Sequence, residues 1–190
     1  MGKDGGSPND NFLTDPRSCK FDPDTIPKCQ GADNANCLTS AQVVALKKVY
    51  VGPTNPSTGE RIYTPLPFGS ENSGLGLAYQ QDPAGFPEQF YPYRWAFGTN
   101  FDYRKFDFNH DQDLIDAKLA RILNANNPDL SGLEKRGGKL LMYTGTADPL
   151  VPFQETLNYY ERVVQDQRKT LTEPGLAQTQ DFFRYFLVQG

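Results

Sequence analysis

The chain has 190 residues, with 19 Lys+Arg against 23 Asp+Glu and a formal net charge of −4, a size that suits one domain or one domain with an insert. Only 37% of it is hydrophobic, while 13% is aromatic, with 17 Gly and 15 Pro. No apolar run reaches the ~18 residues of a membrane span, no coiled-coil or collagen repeat occurs, and the mild acidity offers no clustered basic face for nucleic acid.

Residues 1–10 are polar and glycine-rich, without the apolar stretch of a signal peptide. Residues 1–38 read as irregular loop, punctuated by Asp15-Pro16, Asp22-Pro23 and Pro27. The three cysteines, Cys19, Cys29 and Cys37, all fall here. A segment with so little regular structure is commonly held by disulfides, which imply an oxidising compartment. Zinc is a competing reading, but it needs four ligands and the lone His110 lies far downstream. Three free thiols in a cytosolic loop is the third. An odd count leaves one cysteine over.

A helix follows. Thr39 is its N-cap and Gln42 its N3 residue, a capping box. Val43, Leu46, Val49 and Tyr50 share one face, and Gly52-Pro53 ends the helix. Residues 53–106 are rich in proline, glycine and aromatics, including Phe86, Phe90, Tyr91, Tyr93, Trp95 and Phe97. No periodicity is sustained there, which suits a lid or binding insert.

After about residue 107 the character changes. Asp111 or Asp113 can cap a helix running to about Asn124, with Leu114, Ala117, Ile122 and Leu123 as its apolar positions. Gly137-Gly138 leads into Lys139–Tyr143, a short apolar run fit for a buried parallel strand. Pro152 suits the first turn of a second helix whose buried face is Phe153, Leu157, Tyr160 and Val164. Residues 166–181 read as polar linker, and Phe182–Val188 as a second strand. Strand, helix, strand is the parallel α/β pattern.

Asp148 follows the first strand directly, at the end where open α/β sheets place ligands and catalytic groups. In an α/β hydrolase the acid of the triad sits in such a loop, where it orients the imidazole and stabilises its cation. An Asp-Pro pair after a strand also serves as an ordinary turn or cap. No Gly-x-Ser-x-Gly elbow occurs, and no histidine follows Asp148. His110 precedes the acid and reads as a capping or surface residue. Asp107, Asn109, Asp111 and Asp113 mimic an EF-hand loop, but Gln112 replaces its glycine and Lys118 its bidentate glutamate. Asp4, Asp10 and Asp15 lie in a turn-rich stretch that suits a hard cation such as Ca²⁺, or simply a solvated acidic loop.

Several segments together resemble the fungal and bacterial tannase/feruloyl esterase family of α/β hydrolases. They are Leu13-Thr-Asp-Pro-Arg-Ser-Cys19 running on to Pro23, Cys37-Leu-Thr-Ser-Ala-Gln42 running on to Pro53, and Phe106-Asp-Phe-Asn-His-Asp111. Asn124–Ser131, Arg136–Tyr143, Ala147-Asp148-Pro149, Tyr159–Val163 and Asp181–Val188 follow in the family's order.

The resemblance implies an incomplete α/β-hydrolase sheet with a large irregular lid insertion. Residues 1–106 would be the lid region, including the helix at 39–51, and residues 107–190 the C-terminal part of the hydrolase domain. It implies a secreted serine carboxylic ester hydrolase for phenolic (feruloyl or galloyl) esters, with Asp148 as the triad aspartate. A lid disulfide maps onto Cys29–Cys37. A structural calcium would use Asp10, the carbonyl of Phe12 and nearby Asp4, although two earlier family aspartates are replaced at Lys3 and Gly6. The family partner of Cys19 would fall near Gly2. The family serine would lie upstream of this sequence and its histidine shortly beyond Gly190. The family's His-Gly-Trp ahead of Ala147 is here Thr144-Gly145-Thr146. The chain is therefore expected to be inactive alone, and marginal unless a complementary chain supplies the rest of the sheet. The alternative is a catalytically inactive module that binds phenolics or polysaccharide through residues 86–103.

Overall fold

The computed structural model describes residues 9–71, 91–170 and 175–190. Its elements are α1 (Ser40–Val51), α2 (Tyr91–Phe97), α3 (Asp111–Leu123), α4 (Ser131–Lys135), β1 (Leu140–Gly145), α5 (Phe153–Thr170), α6 (Gly175–Phe182) and β2 (Phe183–Val188). The chain divides into two compact units. The first is drawn from Met1–Cys19, Pro67–Ser73 and Ala125–Gly190, the second from Lys20–Leu66 and Gly74–Asn124.

In the first unit the two strands are parallel, with Leu140 opposite Phe183 and Gly145 opposite Val188. Parallel neighbours need a crossover, and α5 and α6 supply it. Side chains alternate across the sheet, so Leu140 and Met142 turn toward one face with Phe183 and Tyr185. That face packs on Tyr160, Val163, Val164 and Phe182, and Leu130, Leu133 and Tyr159 close the cluster. Val163 and Phe183 have no exposed surface. The opposite face is open: Leu141 and Tyr143 are 67% and 69% exposed, beside half-exposed Phe186 and Val188. The expected fully buried strand is thus buried on one face only, because the described elements cover only one side of it.

The entry to β1 is tightly built. Asp129 Oδ1 accepts from the Ser131 N–H (3.0 Å) at the start of α4, and Gly137, at φ +71°, turns the chain out of it. Gly138 then donates to the Leu133 carbonyl at 3.0 Å. A Cβ at Gly138 would meet Leu133 Cδ1 at 2.3 Å, so only glycine fits this approach.

Within 166–181, residues 166–170 and 175–181 are helical rather than linker. α5 continues to Thr170, and α6 runs from Gly175 into β2 without a break. The polar letters hide burial: Gln167 is 4% exposed and Thr179 is fully buried, its hydroxyl donating to the Gly175 carbonyl. Phe182 ends α6 rather than opening the strand.

In the second unit, α1 begins with the capping box. Thr39 Oγ1 accepts from the Gln42 N–H, and Gln42 Oε1 accepts from the Thr39 N–H. It ends at Gly52, φ +79°, where a Cβ would lie 3.0 Å from the Tyr63 carbonyl oxygen. Cys29 and Cys37 form a disulfide, and Cys29 donates its N–H to the Leu38 carbonyl at 3.0 Å. The aromatic stretch carries more structure than its lack of periodicity indicates, with α2 and a 3-10 turn at Tyr103–Lys105. Phe86 and Phe90 lie outside the described residues. His110 is the N-cap of α3, with Asp111 and Asp113 inside the first turn, so neither aspartate caps it. Leu114, Ile122 and Leu123 are exposed, and Asp111 is the buried residue of α3.

Candidate functional site

β1 ends at Gly145, and the chain turns sharply into α5 (Phe153–Thr170). The turn is anchored at both ends. Thr146 donates its N–H to the Val188 carbonyl of β2 at 2.8 Å, and Asp148 donates its own to Gly145 at 3.4 Å. Asp148 then acts as an Asx cap for the next turn. Its Oδ1 accepts from the N–H of Leu150 (2.8 Å) and of Val151 (3.0 Å). Its Oδ2 accepts no hydrogen bond from a described residue. The carboxylate is therefore half-buried, fixed through one oxygen and open through the other, at the carboxyl end of the sheet. A group held this way can accept a bond from an imidazole N–H and hold that ring in one orientation.

Phe12 and Thr146 complete this end of the sheet. The Phe12 ring lies against Gly190, 3.5 Å from where a Cβ would stand, and the Gly190 carbonyl oxygen is equally close to the Cβ position of Gly145. Thr146 is 2% exposed and its hydroxyl has no hydrogen-bond partner among the described residues. Nothing in the sequence pattern marked Thr146 beyond its place beside the acid, because an unpaired hydroxyl is a property of the packing.

The other sequence candidates lie elsewhere. Asp10 and Phe12 are described, and Asp4 lies outside the described residues. Among the described residues no group of three or more His, Cys, Asp or Glu side chains could hold a metal. Asp10 and the Phe12 carbonyl would supply two of the six to eight oxygens that Ca²⁺ takes. Cys19 is a free, partly exposed thiol.

In the second unit the EF-hand-like residues bond to one another. Asp107 Oδ1 accepts from the Asn109 N–H and from Asn109 Nδ2, both at 2.8 Å. Asp111 Oδ2 accepts from the Asp107 N–H at 2.9 Å. His110 stands between the two carboxylates, with Nδ1 2.8 Å from Asp111 Oδ1 and Nε2 3.3 Å from Asp107 Oδ2. The Asn109 bonds, chiefly the backbone one, hold Asp107 below the usual carboxylate range. Lys118 donates to the Ala96 carbonyl and lies over the Phe97 ring. These bonds close the turn before α3, and Asn109 ties that turn to Asn55 and Ser57.

Among the described residues no helix is long and apolar enough to cross a membrane.

Comparison with known proteins draws these features together. The model of the family "Tannase and feruloyl esterase" matches residues 2–86 and 88–190. An uncharacterized esterase of Xanthomonas campestris pv. campestris is 36% identical over 204 residues, covering 95% of this chain and 35% of that protein. A probable feruloyl esterase B-2 of Aspergillus flavus is 29% identical over 187 residues, covering 96% and 33%. The crystal structure of an esterase from Aspergillus oryzae superposes with a TM-score of 0.77 at 25% identity, covering 98% of this chain and 35% of that one. The chain thus spans about a third of the length of the relatives it matches. Its two parallel strands and crossover helices are part of an α/β-hydrolase fold. The chain belongs to the tannase and feruloyl esterase family of carboxylic ester hydrolases.

Proposed function

We propose that this member of the tannase and feruloyl esterase family is the lid and acid-bearing portion of a secreted serine esterase that cleaves phenolic esters of the feruloyl or galloyl type. Asp148 serves as the acid of a Ser-His-Asp triad. The serine and histidine come from polypeptide outside these 190 residues, since no Gly-x-Ser-x-Gly occurs and no histidine follows Asp148. The observation that carries the reading is the Asp148 carboxylate, fixed by two backbone N–H groups with its second oxygen open at the carboxyl end of β1.

In this role Asp148 accepts the N–H of the base through Oδ2, selects the tautomer that faces the serine, and stabilises the imidazolium formed as the serine attacks. The Leu150 and Val151 N–H groups keep Oδ1 in place, so the carboxylate does not rotate as charge develops. The open face bearing Leu141, Tyr143, Phe186 and Val188 supports the reading in a second way. It is the kind of apolar surface that the remaining sheet and helices of such an enzyme would cover. The disulfide fits an oxidising, extracellular setting.

The test is a longer polypeptide that contains this chain and turns over methyl ferulate or methyl gallate. Asp148→Asn lowers kcat by about three to four orders of magnitude with little change in KM. Full rate in that variant would remove the role given to Asp148. The 190-residue chain alone is expected to show no turnover.

A further inference from the structure

α1 carries two apolar faces, and only one of them is used for packing. Val43 is buried at 4% exposure, whereas Val44 and Val51 are 54% and 50% exposed. Val44, Lys48 and Val51 stand at i, i+4 and i+7, one stripe of the helix. That stripe forms the wall of a groove of about 570 Å³. Its far side is Phe108, 44% exposed, and its end is the Gly52-Pro53 turn. A space of this size suits a small organic ligand.

Two features give the groove a chemistry. The first is a fixed ring. Phe108 packs edge-to-face on Phe106, with centroids 4.9 Å apart, and Phe106 packs the same way on Tyr93 at 5.2 Å. Tyr93 stacks on Phe101, and Phe101 on Phe97. The exposed Phe108 ring is thus held by an aromatic ladder and offers a flat surface at little ordering cost.

The second is an unbalanced charge. The groove is lined by Lys47 and Lys48. Lys47 is paired with Asp24, a carboxylate that Lys28 also contacts. Lys48 makes no ion pair with any described residue. Its full charge outweighs the roughly half negative charge of the helix C-terminus beside it.

We propose that this groove binds a flat aryl carboxylate, its ring against Phe108, Val44 and Val51 and its carboxylate on Lys48. The site is built wholly within the second unit and does not depend on ester hydrolysis or on Asp148.

The experiment is titration of the full 190-residue chain, by calorimetry or NMR, with 2-naphthoate and with neutral 2-naphthamide as probes. Saturable 1:1 binding of the naphthoate is expected, with Kd on the order of 100 µM, and binding of the amide about tenfold weaker. Lys48→Glu weakens naphthoate by about tenfold or more and leaves naphthamide unchanged, while Val44→Glu removes both. Both positions are solvent-facing on α1, and far-UV circular dichroism confirms that each variant is folded. If Lys48→Glu alters the fold, Lys48→Ala takes its place with the same expected pattern. Equal affinity for the two probes, retention of naphthoate affinity in the folded Lys48 variant, or no saturation at about 10 mM would each overturn the proposal.

Discussion

Val163 and Phe183 are completely buried at the centre of the first unit, whereas the buried hydrophobic side chains among the described residues of the second are Val43 and Ala96. The second unit is instead stitched by polar contacts. Asp22 caps a 3-10 turn, Thr39 and Gln42 cap α1, Asn55 closes the turn at 55–58, and Asp107 closes the turn before α3. A disulfide and a ladder of rings complete it. A core gains free energy by removing apolar area from water. A set of capped turns gains about 1 kcal/mol per bond and is pinned locally. The first unit should therefore respond to cavities and the second to the loss of individual ties.

The sharpest way to separate them is a cavity. Phe183→Ala removes a fully buried ring that packs on Tyr159 and Tyr160, and should cost about 3–5 kcal/mol. Chemical denaturation followed by near-UV circular dichroism reads this directly, and a loss below about 1 kcal/mol would contradict the core assignment. Next comes the tie. Cys29→Ser with Cys37→Ser opens a short loop and should cost about 2–3 kcal/mol by the chain-entropy account. Reducing agent should lower the stability of the parent by the same amount and leave the double variant unchanged.

The same contrast explains what the sequence made legible. In the first unit the strand-helix-strand order was readable from apolar spacing, since Phe153, Tyr160 and Val164 repeat at helical intervals and are buried. Gln167 and Thr179 defeat that logic. They are buried polar residues whose neighbours, not their letters, place them inside. In the second unit the Thr39–Gln42 box was readable because a cap is a local code. The groove on α1 was not, because Val44 and Val51 look like surplus apolar residues until Phe108 is brought beside them. The position of Asp148 after a strand was legible from order alone. That one carboxylate oxygen is tied while the other stays open emerged only with the turn itself.

The cap offers a gentler test of the stitched unit. Thr39→Ala removes the acceptor for the Gln42 N–H and should cost about 1 kcal/mol, while Thr39→Ser should restore most of it. A loss as large as that of Phe183→Ala would mean that α1 is held by more than its local ties.

The smallest effect is expected at Asp107, and its sign can be worked out. Hydrogen bonds from the Asn109 backbone and side chain, with a lesser contribution from His110, hold the Asp107 carboxyl below its ordinary value. A group whose pKa is lower in the folded state stabilises the fold at pH above its unfolded value of about 3.9. That contribution disappears as the pH falls through the lower folded value. Asp107→Asn should therefore melt below the parent at pH 6, and the gap should narrow as the pH drops below about 4. Asp15, Asp24 and Asp129 are depressed in the same direction by their own partners, but they are common to both proteins and cancel in the difference. Asp107 is solvent-exposed, so the gap should also shrink in high salt. A gap that widens on acidification would mean that the bonds to Asn109 do not hold the turn before α3.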